Sequence, residues 1–240
     1  MSQANQSPDM IDGAAQLGDA FYCCVDAVIC GLRFPVAVGD SFRNCCPRCG
    51  GAVQLVATAE ARLPNVELRD VSVLTSTSRS QIHLLLDNWR SVFNVGAAFR
   101  TADGAGLRHL YLCGITATPD RQRKLAKTAL GAERSVAWSY HADAVKIATE
   151  MQQVGAQIWV LERNAHSLPL FEITSLPLDA TIVLVAGNEV LGVDPGLVTM
   201  ADRVIHLPME GSKQSLNVAV ATSVASYWLR AQELVAHQAD

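Results

Sequence analysis

The sequence predicts an α/β domain with a mostly parallel sheet, preceded by a small cysteine-rich module. From Gln81 onward, short apolar runs alternate with helix-like stretches, which is typical of a parallel sheet covered by helices on both faces. Before that point, six of the seven cysteines fall between residues 23 and 49. Clustered cysteines in a chain that shows no export signal favour metal binding over disulfides.

The bulk composition indicates a compact globular protein. Half of the 240 residues are hydrophobic and 18% are charged, which argues against a disordered chain. No apolar run approaches the roughly 18 residues that cross a bilayer, and the start MSQANQSPDM lacks the features of a signal peptide. We therefore expect no membrane association and a cytoplasmic location. The net charge of −4 argues against a nucleic-acid coat protein but suits an enzyme that meets RNA through a local patch.

Four segments follow one another along the chain. Residues 1–18 are small and polar, and we expect them to be disordered. Residues 19–56 hold the cysteine-rich module. Residues 57–80 contain few large apolar side chains and are interpreted as a linker with room for one short strand. Residues 81–240 form the α/β domain.

The cysteine module resembles a zinc ribbon in one of its halves. Cys46-Pro-Arg-Cys49 followed by glycine has the form of a zinc knuckle. The other half departs from the pattern, because Cys23 and Cys24 precede Cys30 by six or seven positions rather than three. We expect zinc on Cys24, Cys30, Cys46 and Cys49, with Cys23 as the alternative to Cys24. A ribbon that has lost its metal is the competing interpretation.

Within the α/β domain, five apolar runs suit buried strands. These are Ile82–Leu86, His109–Cys113, Ile158–Leu161, Ile182–Ala186 and Val204–Leu207. Helix-like patterns cover Val95–Asp103, Ala142–Val154, Pro195–Met200 and the long amphipathic stretch Asn217–Val235. Since ligands of parallel sheets bind at the carboxyl ends of strands, the loops after Leu86, Leu161, Ala186 and Leu207 should carry the function.

Three segments at those strand ends stand out. They are Asn94-Val-Gly-Ala-Ala-Phe-Arg100-Thr101, Gly187-Asn-Glu189-Val-Leu-Gly192, and the stretch from Leu207 to Ala221 that contains Ser215-Leu216-Asn217. Singly, each also fits helix caps and strand-ending turns. A dinucleotide fold is not indicated, because Gly104-Ala-Gly106 follows a helix pattern and precedes a strand, the reverse of what that fingerprint needs.

In this order and spacing, the three segments resemble the motifs of the SpoU/TrmH family of SPOUT methyltransferases. The resemblance covers about Gln81 to Gln232 and includes Lys127-Thr-Ala-Leu-Gly131-Ala-Glu133 between the first two motifs. It implies a deep trefoil-knotted α/β fold, a rare exception to the rule that chains avoid knots. It also implies S-adenosylmethionine-dependent 2′-O-methylation of a ribose in tRNA or rRNA.

The resemblance further implies roles for particular residues. Gly187, Leu207 and Leu216 match positions that contact S-adenosylmethionine in the family. Asn94, Arg100, Glu189, Ser215 and Asn217 match positions on the acceptor side. A guanidinium stays protonated, so we expect Arg100 to bind phosphate and stabilise the oxyanion rather than act as a base. Glu189 is expected to hold Asn94 or a neighbouring backbone amide.

Two expectations concern partners. Arg121, Arg123, Lys124 and Lys127 fall within seven residues; they could contact RNA or form a solvated helix face. The family resemblance implies a homodimer in which Arg100 of one chain faces the cofactor held by the other. The alternative functions are a non-catalytic RNA-binding protein that keeps the fold, and methyl transfer to a base instead of a ribose.

Overall fold

A computed structural model describes residues 20–26, 28, 30–36, 44–58, 81–174, 176–177 and 181–236. Its internal contacts divide the chain between Val73 and Leu74 into two compact units. The boundary falls inside the segment expected to be a linker. The expected disordered tail and residues 59–80 of that linker lie outside the described residues, so the predicted segment bounds stay predictions there.

The first unit is built on a small antiparallel sheet. Among its described residues, the strands are β1 (Ala20–Cys24), β2 (Arg33–Val36) and β3 (Val53–Thr58), in the order β2-β1-β3. Strand β3 runs two residues beyond the predicted end of the module at 56. Ala20, Tyr22 and Cys24 are buried in the core of this unit. Because side chains alternate along a strand, Cys23 lies on the opposite face from Cys24.

The second unit contains a parallel sheet that confirms the predicted fold class. Its strands within the described part of residues 81–236 are β4 (Ile82–Asp87), β5 (Leu110–Cys113), β6 (Trp138–His141), β7 (Gln157–Leu161), β8 (Leu168–Pro169), β9 (Ile182–Ala186) and β10 (Arg203–His206). They lie in the order β6-β5-β4-β9-β7-β10-β8, and every neighbouring pair is parallel. Strand β9 is apolar throughout, and β4 is apolar except at His83 and Asp87, because these central strands are covered on both faces.

Helices cover both faces of this sheet, as predicted. They are α1 (Val92–Ala105), α2 (Ala126–Ala129), α3 (Ala132–Ser135), α4 (Ala144–Gln153), α5 (Pro195–Met200) and α6 (Val218–Ala236). Leu84 and Leu86 share one core with α1 and α6. Leu85 points to the other face and shares a second core with α4 and α5. The trefoil knot stays a prediction.

The sequence patterns missed the less regular elements. Strand β6 lies at the edge of the sheet and is only partly buried, so its sequence WSYH lacks the apolar run of a central strand. Between β5 and β6, a 3₁₀ turn (Arg123–Leu125) leads into α2, and α2 ends at Leu130 and Gly131, which both have positive φ. No helix among the described residues is both long and apolar enough to span a membrane.

Candidate active site

A cavity opens at the carboxyl ends of β7, β9 and β10, where a parallel sheet places its ligands. Its volume of about 350 Å³ is in the range of small-molecule sites. Three predicted cofactor contacts, Gly187, Leu207 and Leu216, line it together. The lining also includes Leu161, Glu162, Arg163, Asn188, Glu189, His206, Met209, Gln214, Ser215, Asn217 and Val218. Segments far apart in the sequence therefore meet around one space.

The loop after β9 is a tight turn that leaves room only for glycine at position 187. The backbones of Asn188 and Gly192 exchange two hydrogen bonds of 2.9 Å. A Cβ on Gly187 would lie 2.3 Å from the nitrogen of Val193 and 2.4 Å from the carbonyl carbon of Gly192. Side-chain carbons do not approach backbone so closely. Gly187 is thus required by the folding of this loop, which is the strand-ending turn that the sequence also allowed, and its contact with S-adenosylmethionine stays a prediction.

Glu162 joins two walls of the cavity. Its carboxylate accepts one hydrogen bond from the backbone N–H of Arg163 at 3.0 Å and another from that of Val193 at 3.1 Å. The loop after β7 is thereby fixed to the end of the loop after β9. The cavity walls are held by bonds within one chain rather than by packing alone.

A chain of hydrogen bonds connects all three sequence motifs at the mouth of the cavity. Asn94 donates from Nδ2 to Glu189 at 3.0 Å, and its Oδ1 accepts from Nδ2 of Asn217 at 3.3 Å. Asn217 also caps α6, because its Oδ1 accepts from the backbone N–H of Ala219 at 2.9 Å. The contact between Glu189 and Asn94 is the one expected from the sequence. Asn217 thus holds Asn94 in place at the mouth of the cavity.

Glu189 is bound as a carboxylate at the start of α1. Partial burial would raise its pKa, but backbone N–H groups of Arg90 and Ser91 and the amide of Asn94 donate to it, and together they lower the pKa below its usual value. Three donors at a helix N-terminus stabilise the ionised form. Glu189 is therefore suited to hold position rather than to accept a proton.

Arg100 stands apart from this network. It lies in the middle of α1, is exposed, and forms no hydrogen bond or ion pair with any residue that the structure describes. It is also absent from the described lining of the cavity, whereas Ser215 and Asn217 belong to that lining. The role expected for Arg100 on the acceptor side therefore stays a prediction.

The predicted RNA-binding cations are all exposed. Arg121, Arg123, Lys124 and Lys127 surround the 3₁₀ turn and α2, while Leu125 and Ala129 anchor this segment in the core. We call residues 120–127 the basic segment. Its one described acidic residue, Asp120, lies 3.9 Å from Arg121, and both side chains are largely exposed, so the pair adds little stability.

In the separate N-terminal unit, four thiols form a cluster. The Sγ atoms of Cys24, Cys30, Cys46 and Cys49 all lie within 4.8 Å of one another, with pairs at 3.6 Å between Cys24 and Cys49 and between Cys30 and Cys46. Sulfurs about 2.3 Å from a tetrahedral zinc ion are about 3.8 Å apart. The geometry selects Cys24 over Cys23, whose Sγ lies near the carbonyl of Gly31 instead.

Some cavity residues were assigned no role from the sequence. Glu162 and Arg163 follow β7, where a contact was expected but could not be assigned, and Asn188 and His206 also line the space. The signal available was position: each lies within two residues of the end of a strand that the patterns had located. Their side-chain directions depend on loop conformations that no periodicity specifies.

The fold and the site define an α/β protein with a ligand cavity at the carboxyl edge of a parallel sheet. The chain belongs to the SpoU rRNA methylase family, whose sequence model matches residues 81–227. This confirms the resemblance drawn from the three motifs.

Several relatives show how far the similarity extends. The 23S rRNA (guanosine-2'-O-)-methyltransferase RlmB of Pasteurella multocida is 30% identical over 169 residues, 69% of this chain and 66% of that protein. The tRNA (guanosine(18)-2'-O)-methyltransferase of Aquifex aeolicus is 33% identical over 145 residues, 59% of this chain and 64% of that protein. The chain thus spans slightly less than two thirds of either relative.

A solved structure shares the fold. The AdoMet-bound rRNA methyltransferase from Sinorhizobium meliloti is 25% identical, with a TM-score of 0.58 over 64% of this chain and 57% of that one. AdoMet is S-adenosylmethionine, the donor that the motifs of this chain imply.

Proposed function

We propose that this protein methylates the 2′-hydroxyl of a ribose in tRNA or rRNA, using S-adenosylmethionine. The observation that carries the proposal is the hydrogen-bonded series Glu189–Asn94–Asn217 at the mouth of the cavity. It brings one residue from each motif to one place, in a family whose relatives include named rRNA and tRNA 2′-O-methyltransferases. Such substrates also support a cytoplasmic location.

The cavity residues fit S-adenosylmethionine chemically. Leu161, Leu207 and Leu216 offer apolar walls for a purine and a methionine chain, and the loops present backbone polar groups. Arg163 supplies a cation at the wall for a carboxylate. When bound, this donor supplies a methyl group on a positively charged sulfur, so the overall products are a 2′-O-methylribose, S-adenosylhomocysteine and a proton.

The acceptor side positions the ribose and stabilises its developing charge. Asn94 is oriented by Glu189 and Asn217, so its amide is fixed beside the cavity. Arg100 binds a phosphate next to the acceptor nucleotide and stabilises the oxyanion on the 2′-oxygen. The guanidinium remains protonated throughout. Ser215 lines the cavity and offers a hydroxyl to the ribose.

A homodimer would complete this site. Arg100 does not line the cavity of its own chain among the described residues, and α6 carries an exposed apolar stripe of Val220, Val224 and Tyr227 at helical spacing. On another side of α6, Val218, Ala225, Trp228 and Leu229 pack in this chain's own core, and Ala221 lines the cavity. The exposed stripe therefore remains for a second copy, which would bring Arg100 to the partner's cavity.

The four-thiol cluster supports a structural zinc ion in the N-terminal unit. We expect about one zinc per chain by elemental analysis. The ion should be lost in a Cys46→Ser, Cys49→Ser double variant, with the unit becoming protease-sensitive. A Cys23→Ser, Cys45→Ser variant is the matched control, since neither residue belongs to the cluster. If the purified protein held no metal and the N-terminal unit were still ordered, the competing interpretation of a ribbon that has lost its metal would be correct.

One experiment tests the reaction. The protein is incubated with S-adenosylmethionine labelled in its methyl group and with RNA from cells that lack the gene. Nucleosides from the digested RNA are then analysed by mass spectrometry. We expect label in a 2′-O-methylnucleoside. Label on a base alone would identify the base-methylating alternative, and cofactor binding without any transfer would favour the non-catalytic RNA-binding alternative.

A further inference from the structure

Tyr140 forms an exposed aromatic surface that the reaction described above leaves unused. Its side chain is 41% exposed at the end of the edge strand β6. The hydroxyl donates to the carbonyl of Gly114 at 3.0 Å, so the ring is held in one orientation. The guanidinium carbon of Arg121 lies over the ring, 5.6 Å from its centroid.

This pair joins the basic segment to the edge of the sheet. The basic segment carries four cations and one described carboxylate, a local charge of about +3 by that count, whereas the whole chain carries −4. Ile115, next to Gly114, is 67% exposed. Cations, an aromatic ring and an exposed apolar side chain therefore share one surface, the combination used to hold single-stranded nucleic acid.

The surface lies at the same edge of the sheet as the cavity. All strands are parallel, so the end of β6 is on the same side as the ends of β4 and β9. Three strand spacings of about 4.8 Å separate β6 from β9, roughly 14 Å in all. A few nucleotides of extended RNA span that distance.

Helix α1, which carries Asn94 and Arg100, contacts the basic segment. Helix α2 and the 3₁₀ turn pack closely on α1 at Gly96. A Cβ added to Gly96 would lie 2.0 Å from Oγ1 of Thr128 and 2.8 Å from the carbonyl oxygen of Leu125. Gly96 lies between Asn94 and Arg100 on α1. The basic segment is thus held against the helix that carries Asn94 and Arg100.

We propose that Tyr140 and Arg121 form a stacking platform for one unpaired base of the RNA substrate, a few nucleotides away from the methylated ribose. The occupant is a single-stranded or looped segment of RNA, because bases within a duplex have no free face to offer. The base stacks on the tyrosine ring or on the guanidinium plane, and Arg123, Lys124 and Lys127 contact flanking phosphates. The inference rests on the proposed function, of which it names the substrate class.

The test measures RNA binding by the full-length protein, separately from methyl transfer. The probe is a short single-stranded RNA that carries one 2-aminopurine, a fluorescent base whose emission falls when it stacks on an aromatic ring. Tyr140→Ala should weaken binding roughly tenfold and remove the fluorescence change, while leaving the salt dependence of binding unaltered. Tyr140→Phe keeps the ring and should bind nearly as well as the wild type. Phe171→Ala removes another exposed aromatic ring and is the matched control.

A cation that contacts phosphate should give a different pattern from a ring that stacks on a base. Lys124→Ala should weaken binding and reduce the slope of affinity against salt by about one ion, with the fluorescence change retained. The proposal is overturned if Tyr140→Ala binds and quenches as the wild type does, or if a duplex of the same sequence binds equally well. S-adenosylmethionine affinity should be unchanged in every variant, and failure of methyl transfer would leave these binding results interpretable.

Discussion

The cavity and Arg100 differ in how completely one chain builds them. Glu162 fixes two loops around the cavity, and Glu189, Asn94 and Asn217 are bonded to one another at its mouth. Arg100 is exposed and bonded to no described residue. We expect the binding of S-adenosylmethionine to depend on the residues of the cavity, and the rate of methyl transfer to depend on Arg100. Substitutions should therefore separate these two quantities.

The largest effect is expected at Arg100. Arg100→Ala should lower kcat by roughly a hundred- to a thousandfold, the typical loss when one group that stabilises an oxyanion is removed, and leave S-adenosylmethionine affinity unchanged. Arg100→Lys keeps the charge without the two-pronged geometry and should recover part of the rate. Arg108→Ala, an exposed arginine before β5 at the opposite end of the sheet, should have no effect. For each variant, calorimetry measures the affinity for S-adenosylmethionine and methyl-transfer kinetics measure kcat. A lowered affinity for S-adenosylmethionine in Arg100→Ala would contradict the prediction that the two quantities separate.

Gly187 should show the opposite pattern. Gly187→Ala places a Cβ against the backbone of Gly192 and Val193. Overpacking costs typically about 1–3 kcal/mol, so we expect S-adenosylmethionine to bind roughly ten- to a hundredfold more weakly, and Gly187→Val more weakly still. Gly211→Ala is the matched control because nothing lies within 4 Å of its added Cβ. Equal affinities for the two alanine variants would show that the loop has room.

Glu189→Gln tests whether the carboxylate is a positioning group. We expect a several-fold loss of turnover, since the glutamine oxygen still accepts from Asn94 but attracts the start of α1 less strongly. The pKa of Glu189 is lowered in the folded protein, so its contribution to stability is complete above the ordinary glutamate pKa of 4.5 and is lost as the pH falls through the lower folded value. The variant should lack this acid-dependent loss in thermal unfolding. An identical pH profile for both proteins would refute the assigned bonds.

The smallest effect of this series is expected at Asn217, as a loss of stability. Its variants separate two roles, the cap of α6 and the bond to Asn94. Asn217→Ala removes the cap of α6 and should cost about 1 kcal/mol of unfolding free energy. Asn217→Ser keeps a capping oxygen but loses the bond to Asn94, so it should be stable and slow. Denaturant unfolding and turnover are measured on both variants. If the serine variant kept normal turnover, the bond between Asn217 and Asn94 would have no part in the reaction.

The sequence predicted the central elements because burial leaves a clear pattern there. Strand β9 is apolar throughout and was located to the residue, as was α5, where Asp194 caps the helix and Pro195 opens it. Strand β6 was missed because an edge strand needs no apolar run, and α2 and α3 are separated by Leu130 in a conformation that favours glycine.

The residues of the site were predictable where a sequence motif fixes the residue type. They were less predictable where a contact depends on the folded geometry. Gly187, Leu207 and Leu216 line one cavity as expected. The bond from Asn217 to Asn94 was not foreseen, because two side chains 123 positions apart meet only through the fold. Cys24, the ligand expected from the sequence with Cys23 as its alternative, faces the other thiols because side chains alternate along β1.

We propose that each cavity is served by Arg100 of a second chain. It is tested by mixing Arg100→Ala protein with Gly187→Val protein under conditions that exchange subunits, with exchange verified by differently tagged chains. A mixed dimer would hold one site with both lesions and one with neither. With random exchange, methyl transfer should return to about a quarter of the wild-type rate. No recovery despite proven exchange would show that the cavity and its arginine belong to one chain.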